Sequence, residues 1–170
     1  MVWVVLWIPL VSNASKALNA NSNEIEGMVI GGHGDTTMIP LASKATYKGI
    51  PVTDLLSKEE LDKVVADTMV GGATLTKLLG TSAWYAPGAA AAYVVESIIR
   101  DQKKVIVSCT YLEGEYGQQD ICIGVPAVIG KNGVEKILSL KLTDEEKALF
   151  EKSAAAVHKT NAVLKEINAL

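Results

Sequence analysis

The sequence predicts an α+β domain in which antiparallel strands pack against long helices, and three features of the chain point there. Residues 104–112 and 121–129 are neighbouring runs rich in β-branched side chains that alternate loosely, as paired strands do. Asn132-Gly133 follows the second run and supplies the positive φ that a tight hairpin needs. Helical spacing is confined to the stretch before the first run and to the end of the chain, so strands and helices are segregated. At 170 residues the chain can bury one good core, and two domains would be cramped.

Met1 to Val11 are continuously apolar and carry two of the three tryptophans. Such a run is too short to span a bilayer, where about 20 residues are needed. It also lacks the basic start of a signal peptide, although Ala17-Leu18-Asn19-Ala20 loosely imitates a cleavage site. Residues 1–13 are therefore expected to be an unrelated apolar leader, and 14–170 the domain. Met28 to Ile30 form a short buried strand, and Ala45 to Val52 fold back around Lys48-Gly49. Ser57 and Glu60 make a capping box, ahead of Leu61, Val64, Val65 and Met69 at helical spacing. Gly71-Gly72 weaken or kink that helix before Leu75, Leu78 and Leu79, and Gly80 stops it. A small-residue helix spans about Gly88 to Arg100, with an Ala89 to Ala92 run suited to close packing against another helix. The strand pair follows, and the hairpin leads to a strand near Val134 to Leu140. Thr143 and Glu146 make a second capping box, opening a long helix with Leu149, Ala156, Val157, Leu164 and Ile167 along one stripe.

Apolar residues make up 49% and charged residues 21%, a globular balance. The net charge of −3 and pI near 5.4 give no general attraction to nucleic acid or to an anionic membrane, and no basic patch interleaves with aromatics. Cys109 and Cys122 match no metal-ligand or CxxC spacing and no histidine cluster joins them, so no metal is expected. They are read as reduced core residues of a cytoplasmic protein; a disulfide would need the two strands to pair in register.

The chemistry-bearing stretch is Gly31-Gly32-His33-Gly34-Asp35, where an apolar run stops at paired glycines and the first of two histidines follows. Glycines permit positive φ and the close approach of a ligand, and an imidazole suits proton transfer near neutrality. An idle, solvated histidine in a tight turn fits the same residues. His158 reads as a surface histidine on the last helix. Glu113 and Glu115 flank Gly114 in a loop between strands, with no second acid–base feature beside them. There is no GxGxxG, and Gly31-Gly32 and Gly71-Gly72 have the wrong spacing for one. The one arginine, Arg100, lies in the solvated run Arg100-Asp101-Gln102-Lys103-Lys104.

These residues resemble the lactate/malate dehydrogenase family. Gly31-Gly32-His33-Gly34-Asp35 looks like its catalytic-histidine motif. Met38-Ile39-Pro40-Leu41, Tyr47-Lys48-Gly49-Ile50-Pro51, Gly71-Gly72-Ala73, Ser82-Ala83-Trp84-Tyr85-Ala86-Pro87, Leu112-Glu113-Gly114-Glu115-Tyr116-Gly117, Gly124-Val125-Pro126 and Gly130-Lys131-Asn132-Gly133 follow in the family's order. The resemblance runs from about Ala14 to the C-terminus and is nearest to the lactate-dehydrogenase-like malate dehydrogenases. It covers only the second half of such an enzyme, the C-terminal substrate domain.

The resemblance implies a complete enzyme of the tricarboxylic acid cycle that interconverts malate and oxaloacetate with NAD. His33 would be its proton acceptor and donor, and Gly32 and Ser82 would border the substrate. A helix-entry serine before Trp84 accounts equally for Ser82. The family holds NAD in an N-terminal Rossmann domain absent from this sequence, so the chain is expected to bind NAD weakly and to be inactive alone. The family's orienting aspartate and carboxylate-gripping arginines fall where residues 1–13 stand, and Asp35 reads as a turn residue. Homo-oligomers are implied as well. A non-catalytic oligomerisation module of the same family and lactate-type 2-hydroxy acid specificity remain open. A stand-alone hydrolase using His33 lacks a nucleophile motif.

Overall fold

The apolar N-terminal run is helical. In the computed structural model, which describes the backbone of residues 4–166 and the side chains of residues 8–164, α1 (Val4–Leu18) opens the chain. Leu10, Val11 and Ala14 share one helical face and are buried with Ile25, Val29, Met38, Leu56 and Val64 in a single cluster. α1 runs unbroken through the expected boundary at residue 13, with core side chains on both sides of it. An uninterrupted apolar run hides which residues form the inward stripe until a partner lies against them. Ile8 is exposed, while the side chains of Trp3, Leu6 and Trp7 lie outside the described residues.

Short strands follow: β1 (Ile25–Glu26), β2 (Val29–Gly31), β3 (Met38–Pro40), β4 (Thr46–Tyr47) and β5 (Ile50–Pro51). β2 and β3 form one antiparallel hairpin. β4 and β5 form another, turned by Lys48 and Gly49 at φ 52° and 83°, the two positive angles of a type I′ turn. The Ser57–Glu60 capping box closes in both directions and opens α2 (Lys58–Met69). Val70 separates α2 from α3 (Gly71–Leu79), and Gly80 ends α3 at φ 71°. Of the expected α2 stripe only Val64 is fully buried; Leu61, Val65 and Met69 are half-buried. Thr68 is buried in their place, its hydroxyl donating to the Val64 carbonyl at 2.6 Å. α4 (Tyr85–Ile99) begins ahead of the expected Gly88, because Pro87 costs nothing in a first turn whose N–H groups have no helical partner.

β6 (Lys104–Glu113) and β7 (Gln119–Gly130) pair along most of their length. The other edge of β7 takes β2, where Gly124 meets Gly31, and then β8 (Gly133–Ile137). Every strand pairing among the described residues is antiparallel. α5 (Asp144–Glu166) starts at the expected Thr143–Glu146 box. Ile121, Ile123 and Val125 of β7 pack against Phe150 and Ala154 of α5, and Ala127 and Ile129 against Ala90 of α4. Burying a side chain the size of Phe150 stabilises by roughly 1.5–3 kcal/mol.

The expected stripe on α5 is corrected. Glu146, Phe150, Ser153 and Ala154 face inward, whereas Leu149, Ala156 and Leu164 are exposed and Val157 is half-buried. Ile167 lies outside the described residues. α5 carries apolar residues on two faces, and the sheet takes the one that puts the bulky phenylalanine inside. The cysteines are reduced, with Cys109 opposite Gly124 and Cys122 opposite Tyr111, two rungs apart in the ladder. Cys122 is exposed and not a core residue, because it points to the face of β7 opposite the buried Ile121 and Ile123.

Candidate active site

His33 lies in the turn 32–37 that joins β2 to β3, and glycine builds that turn. Gly31 adopts φ 94° opposite Met38 in the hairpin, and a Cβ there would stand 2.6 Å from the Thr37 carbonyl oxygen. A Cβ on Gly32 would meet the Thr37 hydroxyl oxygen at 2.8 Å. Only glycine at both positions lets the chain come this close to Thr37. The Gly34 carbonyl then accepts the N–H groups of Thr37 and Met38 at 2.9 Å each and the Thr37 hydroxyl at 3.3 Å. The turn is thereby closed on itself. Gly32 is buried, His33 is exposed, and Asp35 sits exposed at the tip, in the turn position expected for it.

A residue the sequence did not single out holds this turn from outside. The buried Ser153 hydroxyl accepts the Gly32 N–H at 2.7 Å and donates to the Thr37 carbonyl at 2.7 Å. The Gly32 N–H also reaches the Thr37 carbonyl directly at 3.0 Å. Its sequence signal was faint: a serine three residues after Phe150, inside a stripe of core positions, must find a partner for its hydroxyl. The head of α5 is fixed next to the same hairpin. Glu146 accepts the Ser43 hydroxyl at 2.6 Å with one carboxylate oxygen and the Thr143 N–H at 2.9 Å with the other.

The other residues singled out in the sequence lie apart from the turn. Ser82 is exposed in the link between α3 and α4. It is not the helix cap, since that position belongs to Trp84. Arg100 is exposed and paired with Glu96 at 3.2 Å, one helical turn back. His158 is exposed on α5. The Glu115 carboxylate accepts the Glu113 backbone N–H at 2.8 Å, which closes the β6–β7 loop and holds that carboxyl below its usual range. No group of three or more His, Cys, Asp or Glu side chains converges among the described residues. The firmly held turn thus presents the His33 imidazole and the Asp35 carboxylate, and the chain's one arginine, Arg100, is engaged with Glu96.

The model of the lactate/malate dehydrogenase alpha/beta C-terminal domain matches residues 11–167. This chain belongs to the lactate/malate dehydrogenase family. Its match starts inside the stretch expected to be a leader, at the buried Val11. The malate dehydrogenase of Parabacteroides distasonis is 73% identical over 156 residues, covering 92% of this chain and 50% of that protein. That of Flavobacterium frigidimaris is 68% identical over 153 residues, covering 90% and 49%. Among solved structures, the malate dehydrogenase of Salinibacter ruber superposes with a TM-score of 0.94 at 37% identity, over 99% of this chain and 55% of that one. The lactate dehydrogenase of Eimeria maxima, solved with NADH and oxamate, gives 0.93 at 34% identity, over 99% and 54%. The chain spans about half the length of the curated relatives it matches.

The glycine requirement in the turn can be checked directly. Gly31→Ala is expected to lose roughly 1–3 kcal/mol in chemical denaturation, since alanine must take a positive φ against the Thr37 carbonyl. Gly72→Ala, with open space around it at the head of α3, should cost nothing. Equal midpoints for Gly31→Ala and the parent would remove the constraint.

Proposed function

We propose that this chain is the C-terminal substrate domain of an NAD-dependent malate dehydrogenase. His33 takes the proton from the malate hydroxyl as that carbon is oxidised, and returns it to the oxaloacetate oxygen in the reverse direction. The observation that carries this reading is the exposed His33 on a turn fixed at both ends, in a chain 73% identical to a malate dehydrogenase over 156 residues. In this proposal NAD supplies the hydride acceptor from the half of the enzyme not represented here. The described residues do not fit a dinucleotide, which needs a parallel strand–glycine–helix unit at the pyrophosphate. Gly31-Gly32 are spent turning an antiparallel hairpin, and Gly71 follows the junction of two helices. That supports weak NAD binding and no turnover by the chain alone.

Malate and oxaloacetate carry two carboxylates each, for which a bidentate arginine is the fitting partner. Arg100 is engaged with Glu96, so the proposal assigns that grip to the half of the relatives that this chain does not span. Gly32 and Ser82 border the substrate in this reading. Gly32 acts there through shape, because its N–H is already shared by Ser153 and Thr37. The names of the relatives favour malate over a lactate-type 2-hydroxy acid. Leu78, Tyr85 and Ile99 on α3 and α4 are 79%, 83% and 76% exposed, which supports a homo-oligomer that covers them. A cytoplasmic location, with no metal, nucleic acid or membrane as partner, completes the proposal. No helix among the described residues is long and apolar enough to cross a membrane.

The deciding experiment fuses this chain to the N-terminal half of the Parabacteroides distasonis enzyme and follows NADH oxidation with oxaloacetate. Turnover is expected, and His33→Asn should lower it by about a hundredfold or more with NADH affinity unchanged. A rate within a few-fold of the parent would leave His33 a turn residue, and a folded fusion without turnover would favour a non-catalytic module of the family. For the chain alone, NADH fluorescence should show no saturation at low micromolar concentration; saturation there would overturn the cofactor assignment. Light scattering should find dimers or larger species, and a clean monomer would count against the oligomer.

A further inference from the structure

We propose that Ser153 is a positioning residue for His33, setting the imidazole's place from α5 through the backbone of the turn. The inference rests on the reading of His33 as the proton-transfer group. Two other hydroxyl-bearing residues on helices, Thr68 and Thr160, bond back to the carbonyl four residues earlier, at 2.6 and 3.1 Å. Ser153 gives up that local bond and spends its proton on Thr37, far away in sequence. Its oxygen accepts from Gly32, the residue immediately before His33. With 2% exposure and both donor and acceptor engaged, the hydroxyl has a single orientation. One side chain therefore ties the entry of the turn to its exit.

The paired glycines have a second role in this arrangement. A Cβ on Gly31 would lie 3.0 Å from the Ser153 hydroxyl oxygen, and one on Gly32 3.3 Å from it. The bare backbone is what admits the hydroxyl. Gly31-Gly32 and Ser153 thus form a socket and its plug, and the backbone leading into His33 takes its position from the helix. Removing the hydroxyl leaves the 3.0 Å Gly32–Thr37 bond as the remaining tie between the two ends, so the turn persists but loosens. Displacement of a reacting group by about 1 Å can cost on the order of a hundredfold in rate.

The test compares Ser153→Ala with Ser97→Ala. Ser97 is an equally buried serine on α4 whose hydroxyl bonds the Ile129 carbonyl at 2.8 Å, away from the turn. In the 170-residue chain, hydrogen exchange at the Gly32 amide should quicken about tenfold or more in Ser153→Ala, while Ile123 and Val125 on β7 keep their rates. In the fused enzyme, Ser153→Ala should lower kcat about ten- to a hundredfold with KM within threefold, and Ser97→Ala should leave kcat unchanged. Unaltered Gly32 exchange would overturn the proposal, as would an equal loss of kcat in both variants. If the parent fusion shows no turnover, the His33 reading fails, and the exchange comparison still decides whether Ser153 holds the turn.

Discussion

β7 is paired on both edges and covered by two helices, and the rest of the molecule is arranged around it. Between Ile123 and Gly130 only Val128 falls short of full burial. A strand buried to that extent must have every backbone group paired, which is why β6 runs along one edge while β2 and β8 share the other. The contact of Gly31 with Gly124 is where this requirement meets the site. It seats β2, and through β2 the turn carrying His33, on the long strand that is paired on both edges.

The second fixed point is α5, which reaches the same turn from the opposite end of the chain. Phe150 and Ala154 bind it to β7 through apolar burial, Glu146 ties its head to Ser43, and Ser153 ties its middle to Gly32 and Thr37. Apolar contacts of this kind are non-directional and set where the helix lies. The charge-assisted and hydroxyl bonds are directional and set its rotation. An exposed histidine on an otherwise open turn is thereby given a defined origin.

The exposed apolar side chains of α3 and α4 contrast with this well-covered side. α4 buries Ala90 and Ser97 against the sheet and leaves Tyr93, Val95 and Ile99 outside, and α3 leaves Leu75, Leu78 and Leu79 outside. The chain spans about half the length of its relatives, and helices of this kind have apolar surface on more than one face. Periodicity therefore marked α5 as amphipathic but chose Leu149, Ala156 and Leu164, and the sheet chose Phe150, Ser153 and Ala154.

Local chemistry was legible in the sequence wherever a few neighbouring residues settle the matter. Both capping boxes, the Lys48-Gly49 turn and the Gly80 stop depend on contacts within a few positions, so their residue types announce them, and two adjacent β-branched runs announce the β6–β7 pair. Three matters needed the folded chain. The apolar run around Leu10 became core because Met38, Leu56 and Val64 close over it, and no local pattern records that they arrive there. Cys122 became surface because the sheet buries the face of β7 that carries Ile121 and Ile123, and alternation turns the residue between them outward. Ser153 became the anchor of the His33 turn because its partners stand 116 and 121 residues away, and a hydroxyl's partner at that range is set by how helix and hairpin pack, not by the residues beside it.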